Sequence, residues 1–363
     1  MTAEFLRTLP KVQLHCHLEG TLRASSFIDI ARRRGVALTY HPHGRDDASF
    51  ADRRGAKSVD RSGYHFPDFQ AFLLTFAAVS RSLAQPDDYF RLAREYAEDA
   101  LAQNVVHAEL FISPSVWQFF HPQIDVRQCM DAIDAGFAPA RARDVEINLI
   151  ADLTRNFGPQ SALQTAKLAE SLTDLGVIGV GLGGDEVRFP AELFEDVFAY
   201  ARAQGLHCVA HAGEAAGPAS VWAVIDVLKA ERIGHGVRSI EDPLLVKTLA
   251  ERRIPLEVCP ASNFLTGAAS RDRPPPLVGL DASGCIVTID ADDPPMFDTT
   301  LTKEYEYVAG LVGEAALVRF VGNAIDGSFA EVERKRRLHE RLAASLEAQA
   351  GVERKEAAWL RDS

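Results

Sequence analysis

The chain has 363 residues, of which 47% are hydrophobic and 25% charged, and its formal net charge is −12. This length allows one large domain or two modest ones. The acidic balance disfavours nucleic acid or an anionic membrane as the main partner, because both attract basic surfaces. No run approaches the roughly 20 apolar residues that cross a bilayer. Five cysteines without a Cys-x-x-Cys pair, and an N-terminus without a long apolar stretch, predict a cytoplasmic protein.

Eight short apolar runs predict strands that are buried on both faces. Most are separated by amphipathic stretches that predict helices, including 194–204, 221–229 and 243–252. This alternation is typical of a closed (β/α)8 TIM barrel or an open doubly wound sheet. We favour the barrel, because no Gly-x-Gly-x-x-Gly opens the first helix and polar residues follow strands all the way round. The predicted strands are 12–15, 105–112, 145–152, 177–182, 207–211, 232–235, 254–258 and 286–289.

The interval between the first two strands is the longest, and it predicts a helical insertion over the barrel mouth at about residues 40–103. It begins with a polar segment, 40–63, for which a lid and a disordered loop are both open. Helical patterns follow at 66–82 and 87–103, and C-terminal helices are predicted at about 303–363. With no internal repeat and no obvious linker, the sequence predicts a single domain over 1–363.

Histidines follow the first predicted strand in the run His15-Cys16-His17. Successive strand side chains point to opposite faces, so the two histidines share one face and can grip one divalent metal. His211 ends another predicted strand, and the pair Asp292-Asp293 comes shortly after the last. Three histidines and one of these aspartates suit Zn²⁺ with a water in an open position. The alternative is that these are core or surface histidines that bind no metal.

A zinc-bound water loses its proton near neutral pH and then needs a base and an acid around it. His235 and Asp292 are candidates for the base, and Glu214 is the candidate for the acid. A carboxyl that donates a proton near pH 7 needs a raised pKa, which partial burial supplies. The alternative for Glu214 is a carboxylate that stabilises a helix N-terminus.

Six motifs in one order together resemble the adenosine/adenine deaminase family of the amidohydrolase superfamily, over about residues 9–305. The resemblance implies a mononuclear zinc (β/α)8 barrel that hydrolyses the 6-amino group of a purine and releases ammonia. The motifs are His15-Cys16-His17-Leu18-Glu19-Gly20, Gly181-Leu182-Gly183-Gly184-Asp185-Glu186, His211-Ala212-Gly213-Glu214, Arg232-Ile233-Gly234-His235-Gly236, Val258-Cys259-Pro260-Ala261-Ser262-Asn263 and Asp292-Asp293-Pro294.

The resemblance also implies a role for each matching residue. It makes Glu214 the proton donor to the purine N1, with His235 orienting the hydroxide and Asp292 completing the catalytic group. The metal ligands, for one Zn²⁺ per chain, would be His15, His17, His211 and Asp292. The substrate-binding residues would be His17, Glu19 on the ribose side, Gly184 with its N–H at N3, and Asp293 at N7.

The substrate is the least constrained part of this resemblance. Glu19 stands where adenosine deaminases usually carry aspartate, and a glutamate there looks like the adenine deaminase branch and other side families. In contrast, Gly183-Gly184-Asp185-Glu186 and Ile233-Gly234-His235 look more like the nucleoside branch. Asp290-Ala291 also departs from the usual Asn-Thr or Asn-Ser.

The leading expectation is the deamination of adenosine to inosine, and free adenine is one alternative. Another is aminodeoxyfutalosine, whose benzoate predicts an arginine such as Arg23, Arg61 or Arg155 at the pocket mouth. A relative that binds nucleosides without catalysis, and the oligomeric state, also remain open.

Overall fold

Eight parallel strands, hydrogen-bonded in the order of the chain, form the centre of the protein. The computed structural model describes residues 3–38, 59–66 and 69–362. The strands are β1 (Lys11–Gln13), β2 (Val105–Ile112), β3 (Glu146–Thr154), β4 (Val177–Gly183), β5 (His207–Ala212), β6 (Arg232–His235), β7 (Pro255–Val258) and β8 (Ile286–Ile289).

The sheet closes between the segment after β1 and the segment after β8. The His17 N–H donates to the Asp292 carbonyl at 3.0 Å, and the Asp292 N–H donates to the His15 carbonyl at 3.1 Å. Closure leaves one set of strand side chains inside the barrel, and among these Phe111, Ile150 and Val209 form a small separate cluster. The prediction of a (β/α)8 TIM barrel is therefore confirmed.

The first strand ends two residues earlier than predicted, at Gln13 instead of His15. The Leu14 and His15 N–H groups donate to Asp290 Oδ1 at 2.6 and 3.0 Å, so a side chain replaces the backbone ladder there. Thr288 Oγ1 donates to the other oxygen of Asp290 at 2.8 Å. The unusual aspartate before the last pair thus holds the seam of the barrel, and the other strand boundaries lie within two residues of those predicted.

Helices surround the barrel and cover the outward faces of the strands. One predicted helix, 221–229, instead begins at Pro218 and continues as a π-helical turn over Val224–Leu228. Short 3₁₀ segments lie at Glu19–Thr21, Arg155–Phe157, Thr173–Leu175, Ala191–Phe194 and Val237–Glu241. The α-helices are Ala3–Thr8, Ala24–Arg34, Phe69–Ser82, Pro86–Ala102, Pro114–Phe120, Val126–Gly136, Ala138–Arg141, Gly158–Glu170, Glu195–Ala203, Pro218–Ala223, Pro243–Arg252, Pro260–Leu265, Pro276–Ala282, Leu301–Val312, Glu314–Gly327 and Val332–Asp362.

The chain between β1 and β2 contains a hairpin of two short strands, Val59–Asp60 and Gly63–Tyr64, and two long helices. The first of these helices, Phe69–Ser82, reaches the end of the barrel that carries the histidines, because the rings of Phe76 and His17 are 6.4 Å apart. Most of the predicted polar segment, 39–58, lies outside the described residues, so whether it acts as a lid stays a prediction.

The single domain over 1–363 also stays a prediction. Within the described ranges, no helix combines the length and the apolar composition that a membrane span requires.

Candidate metal centre and active site

Side chains from three strand ends converge at the carboxyl end of the barrel. His17 Nε2 lies 3.2 Å from His211 Nε2 and 3.4 Å from Asp292 Oδ1, and His15 Nε2 lies 3.5 Å from the same oxygen. Ligands about 2.1 Å from a tetrahedral zinc would be separated by about 3.4 Å. Three of the contacts among the four predicted ligands therefore have the spacing that one metal ion requires, and the three histidines together form a group that could hold one.

Three of the four donors, His17, His211 and Asp292, have the protonation states that a metal site needs. Burial lowers the pKa of His17 to about 4 and that of His211 well below its usual value, so both imidazoles are neutral ligands. Burial opposes ionisation of Asp292, but the neighbouring His15, 3.5 Å away, lowers the pKa of this carboxyl and keeps it charged. The Nε2 atom of His15 is buried and has no hydrogen-bond partner among the described residues. These features together fit a divalent metal.

Two residues that the sequence reasoning missed set the orientation of His15. Its Nδ1 lies 2.8 Å from Glu257 Oε2, an arrangement that fixes the ring and leaves Nε2 for the metal. Gly234 makes room for the ring, because a Cβ there would lie 2.7 Å from His15 Cε1. The signal for Glu257 was a charged residue inside the apolar run Leu256-Glu257-Val258.

The candidate acid, Glu214, lies on a tight turn after β5. Glu186 holds this turn by accepting hydrogen bonds from the N–H groups of Gly213, Ala215 and Ala216 at 2.6, 2.8 and 2.9 Å. Burial, reinforced by the charge of Asp292, raises the pKa of Glu214 to about 8. The carboxyl therefore holds its proton at pH 7, which is the state that a proton donor requires.

His235 faces the candidate acid, with its Nε2 3.5 Å from Glu214 Oε2. Its other nitrogen lies 3.0 Å from the amide nitrogen of Asn263. Burial lowers the pKa of His235 to about 3, so the ring is neutral. Both His235 and Asp292 have positive φ values, 62° and 59°. Left-handed backbone at residues other than glycine is strained, and such strain is concentrated at functional sites.

The predicted substrate-binding residues line the same end of the barrel. Glu19 is fully buried, and its Oε1 accepts hydrogen bonds from Trp117 Nε1 at 2.6 Å and the Ser113 N–H at 2.8 Å. Burial and the neighbouring Asp292 raise the pKa of Asp293 well above its usual value. Gly20 provides the space for Asp293, because a Cβ there would lie 1.6 Å from Asp293 Oδ1.

Gly184 has a φ of +98°, which a side chain would strain, so the backbone after β4 can approach a ligand closely. The Asn156 side chain holds the next residue in place, because its Oδ1 accepts a hydrogen bond from the Asp185 N–H at 3.0 Å. All the predicted site residues thus lie around one end of the barrel, and their roles remain to be tested.

The chain is similar to known proteins along most of its length. The family model for adenosine deaminase matches residues 10–345. The adenine deaminase of Albidiferax ferrireducens is 35% identical over 95% of this chain and 96% of that protein. The aminodeoxyfutalosine deaminase of Streptomyces avermitilis is 36% identical over 92% of this chain and 90% of that protein.

A solved structure provides a similar comparison. It is a zinc-bound amidohydrolase from Burkholderia ambifaria, with a TM-score of 0.81 and 28% identity over 96% of this chain and 94% of that chain. The backbone architecture is thus similar to that of a protein in which zinc is present.

Proposed function

Because the chain belongs to the adenosine deaminase family and is a hydrolytic deaminase, we propose that it uses one zinc ion to replace the 6-amino group of a purine with oxygen. The observation that carries the proposal is the convergence of His15, His17, His211 and Asp292, with spacings of 3.2 to 3.5 Å, beside a carboxyl that holds its proton at pH 7.

The metal, when bound, would lower the pKa of a water molecule and so supply a hydroxide nucleophile near neutral pH. Glu214 would give its proton to the ring nitrogen N1, which makes C6 more electrophilic. His235, which is neutral, would form a hydrogen bond with the attacking oxygen from the opposite side to its contact with Asn263. Asp293 and the Gly184 N–H would hold the purine edge at N7 and N3.

Adenine is the substrate that we favour, in place of the adenosine that the sequence led us to expect first. Two features support this choice: one similar relative is named adenine deaminase, and Glu19 stands where the family's nucleoside enzymes usually carry aspartate. The Glu19 carboxyl is clamped by Trp117 and Ser113 at the predicted ribose side, so it cannot swing away to admit a sugar without breaking both hydrogen bonds.

Aminodeoxyfutalosine is the second candidate, because a relative of equal similarity carries that name. Two of the three arginines predicted to bind its benzoate are engaged elsewhere. Arg155 donates to the backbone carbonyls of His211 and Phe189 at 2.7 and 2.9 Å, and Arg23 pairs with Asp99 at 2.6 Å. Arg61, exposed in the turn of the hairpin, is the remaining candidate.

A substrate panel tests the proposal directly. We expect zinc-loaded protein to deaminate adenine with a kcat/KM at least about tenfold above those for adenosine and aminodeoxyfutalosine. A higher value for aminodeoxyfutalosine that falls selectively in Arg61→Ala would support the second candidate instead.

Absence of turnover on every 6-aminopurine, with zinc content verified, would contradict the enzymatic proposal and favour a binding protein.

The five cysteines are buried and unpaired, and a reducing cytoplasm remains our proposed location.

A further inference from the structure

A buried carboxyl that the mechanism leaves unused lies inside the barrel near the substrate residues. Asp152 is on β3, and it is only 5% exposed. Alternation along the strand puts it on the same face as Ile150, which packs inside the barrel with Phe111 and Val209. The Phe111 ring stacks on His17 at 5.1 Å. Phe111 and Asp152 both lie against Gly181, so Asp152 is near the proposed metal centre.

The neighbouring strand leaves space for this carboxyl. Gly181 and Gly183 on β4 face Asp152, and a Cβ at either position would lie 3.2 Å from Oδ1 or 2.7 Å from Oδ2, respectively. Gly184, whose N–H is predicted to meet the purine N3, directly follows. The face of β4 formed by Gly181 and Gly183, which carries no side chain, therefore connects the Asp152 carboxyl with the predicted N3 contact.

The carboxyl is also incompletely hydrogen-bonded. Within the part of the chain that the structure describes, Asp152 Oδ1 is buried without any partner. Burial, together with the charge of Glu19, raises the pKa of Asp152 to about 7. Buried polar atoms are almost always paired, so an unpaired oxygen beside a predicted ligand site indicates a partner that arrives with the ligand.

We propose that Asp152 is a substrate-binding residue that accepts a hydrogen bond from N9–H of a free purine base, beside the Gly184 contact at N3. This inference rests on the proposed function and deepens it, since it adds a hydrogen-bond requirement at N9 to the exclusion of a sugar by Glu19. Adenine has a hydrogen on N9 where adenosine has a carbon. A site that must pair a buried carboxyl rejects a substrate that lacks the matching hydrogen.

Adenine and 9-methyladenine make a matched pair of probes, because they differ only at N9. We expect the wild-type kcat/KM to be at least about 100-fold higher for adenine. In Asp152→Ala this ratio should fall at least about tenfold, with an intermediate ratio in Asp152→Asn, whose carbonyl can still accept a hydrogen bond. Zinc content and melting temperature are measured for each variant, and Asp152→Asn carries the test if the alanine variant does not fold.

The Glu19→Gln variant provides the matched comparison, because Glu19 also has a buried oxygen without a partner in the described residues. A wild-type ratio near one, equal losses on both probes in the Asp152 variants, or a collapse of the ratio only in Glu19→Gln would each overturn the proposal.

Binding of hypoxanthine and 9-methylhypoxanthine, measured by calorimetry, reports the same N9 preference without catalysis. If no purine is turned over, the proposed function fails, and this binding ratio in wild type and Asp152→Ala still decides the role of Asp152.

Discussion

Buried carboxylates at the two ends of the barrel interior differ in how fully they are hydrogen-bonded. At one end, Glu109, Glu257 and Arg232 form a cluster that we call the floor network, in which Arg232 donates to Glu109 at 2.6 Å and to Glu257 at 2.5 Å. Their remaining oxygens are bound by the Phe329 N–H at 2.6 Å and by His15 at 2.8 Å. On the other side, which we call the mouth carboxyls, each group keeps one buried oxygen without a partner in the described residues. The mouth carboxyls are Glu19, Asp152 and Asp293.

The pKa shifts follow this division. Burial opposes the ionisation of Glu109, but the charge of Arg232 lowers its pKa to about 2. Burial raises the pKa of Asp152 to about 7 although Arg155 opposes the shift, and burial raises the pKa of Asp293 well above its usual value. Complete pairing indicates a role in holding the fold, whereas incomplete pairing indicates a partner that is yet to bind. The comparison thus separates stability from function within one barrel.

Metal removal should have the largest effect on activity, and it should leave the floor network unchanged. Chelation of purified protein is expected to abolish deamination, at least about 10³-fold, because the nucleophile depends on the metal. Added Zn²⁺ should restore it, and metal analysis should find one divalent ion per chain. Retention of full activity in verified metal-free protein would show that the four converging side chains serve another purpose.

Substitution of the acid should come next in size. Glu214→Gln removes the proton donor while it keeps the shape of the side chain, and kcat/KM should fall by about 10²–10⁴-fold. The melting temperature should not decrease, because Gln replaces a carboxyl that is already protonated at pH 7. Glu251→Gln, on an exposed helix face, is the matched control and should behave as wild type. Equal activity in the two variants would remove Glu214 from the mechanism.

The floor network should show the reverse pattern. Glu109→Gln leaves Arg232 with one buried carboxylate partner in place of two, so the free energy of unfolding should fall by about 3–5 kcal/mol. The folded variant should keep kcat/KM within about threefold. Glu109 is linked to the site residue His15 through Arg232 and Glu257 and not by a direct hydrogen bond. Urea unfolding and kinetics on the same preparation measure both. A variant of wild-type stability with lost activity would reverse the comparison.

The sequence predicted the barrel and the histidines that converge at one end of it because both depend on local signals. Continuous apolar runs mark strands buried on both faces, and His15, His17 and His211 follow such runs directly. The supporting contacts could not be predicted in the same way, because they join residues that only barrel closure brings together. The Glu257 contact with His15 spans 242 positions, and the Asp290 contact with the Leu14 N–H spans 276.

The glycines show the same limit from the other side. Gly20 stood within a quoted motif, but the sequence carries no sign that it makes room for Asp293, and the same holds for Gly234 and His15. Whether a glycine makes room for a distant side chain depends on how two segments of the chain pack together, and this is known only from the folded structure.

The pH dependence should be the smallest effect, and it locates the acid within the mouth. The pKa of Glu214 is raised to about 8, so the proton donor is lost as pH rises through that value. We expect kcat/KM for adenine to fall about tenfold per unit above pH 8, provided that zinc stays bound. A profile that stays flat to pH 10 would assign the proton to another group.

Stability should follow the same carboxyl with a defined sign. The pKa of Glu214 is higher in the folded chain than its ordinary value of 4.5, so between about 4.5 and 8 the folded state holds a proton that the unfolded state has released. This contribution to stability is fully present below the lower value and is lost as pH rises towards the upper one. Wild-type protein should therefore lose melting temperature relative to Glu214→Gln across that window. Parallel curves for the two proteins would mean that Glu214 ionises normally, and the distinction drawn here between mouth and floor would then not extend to the acid.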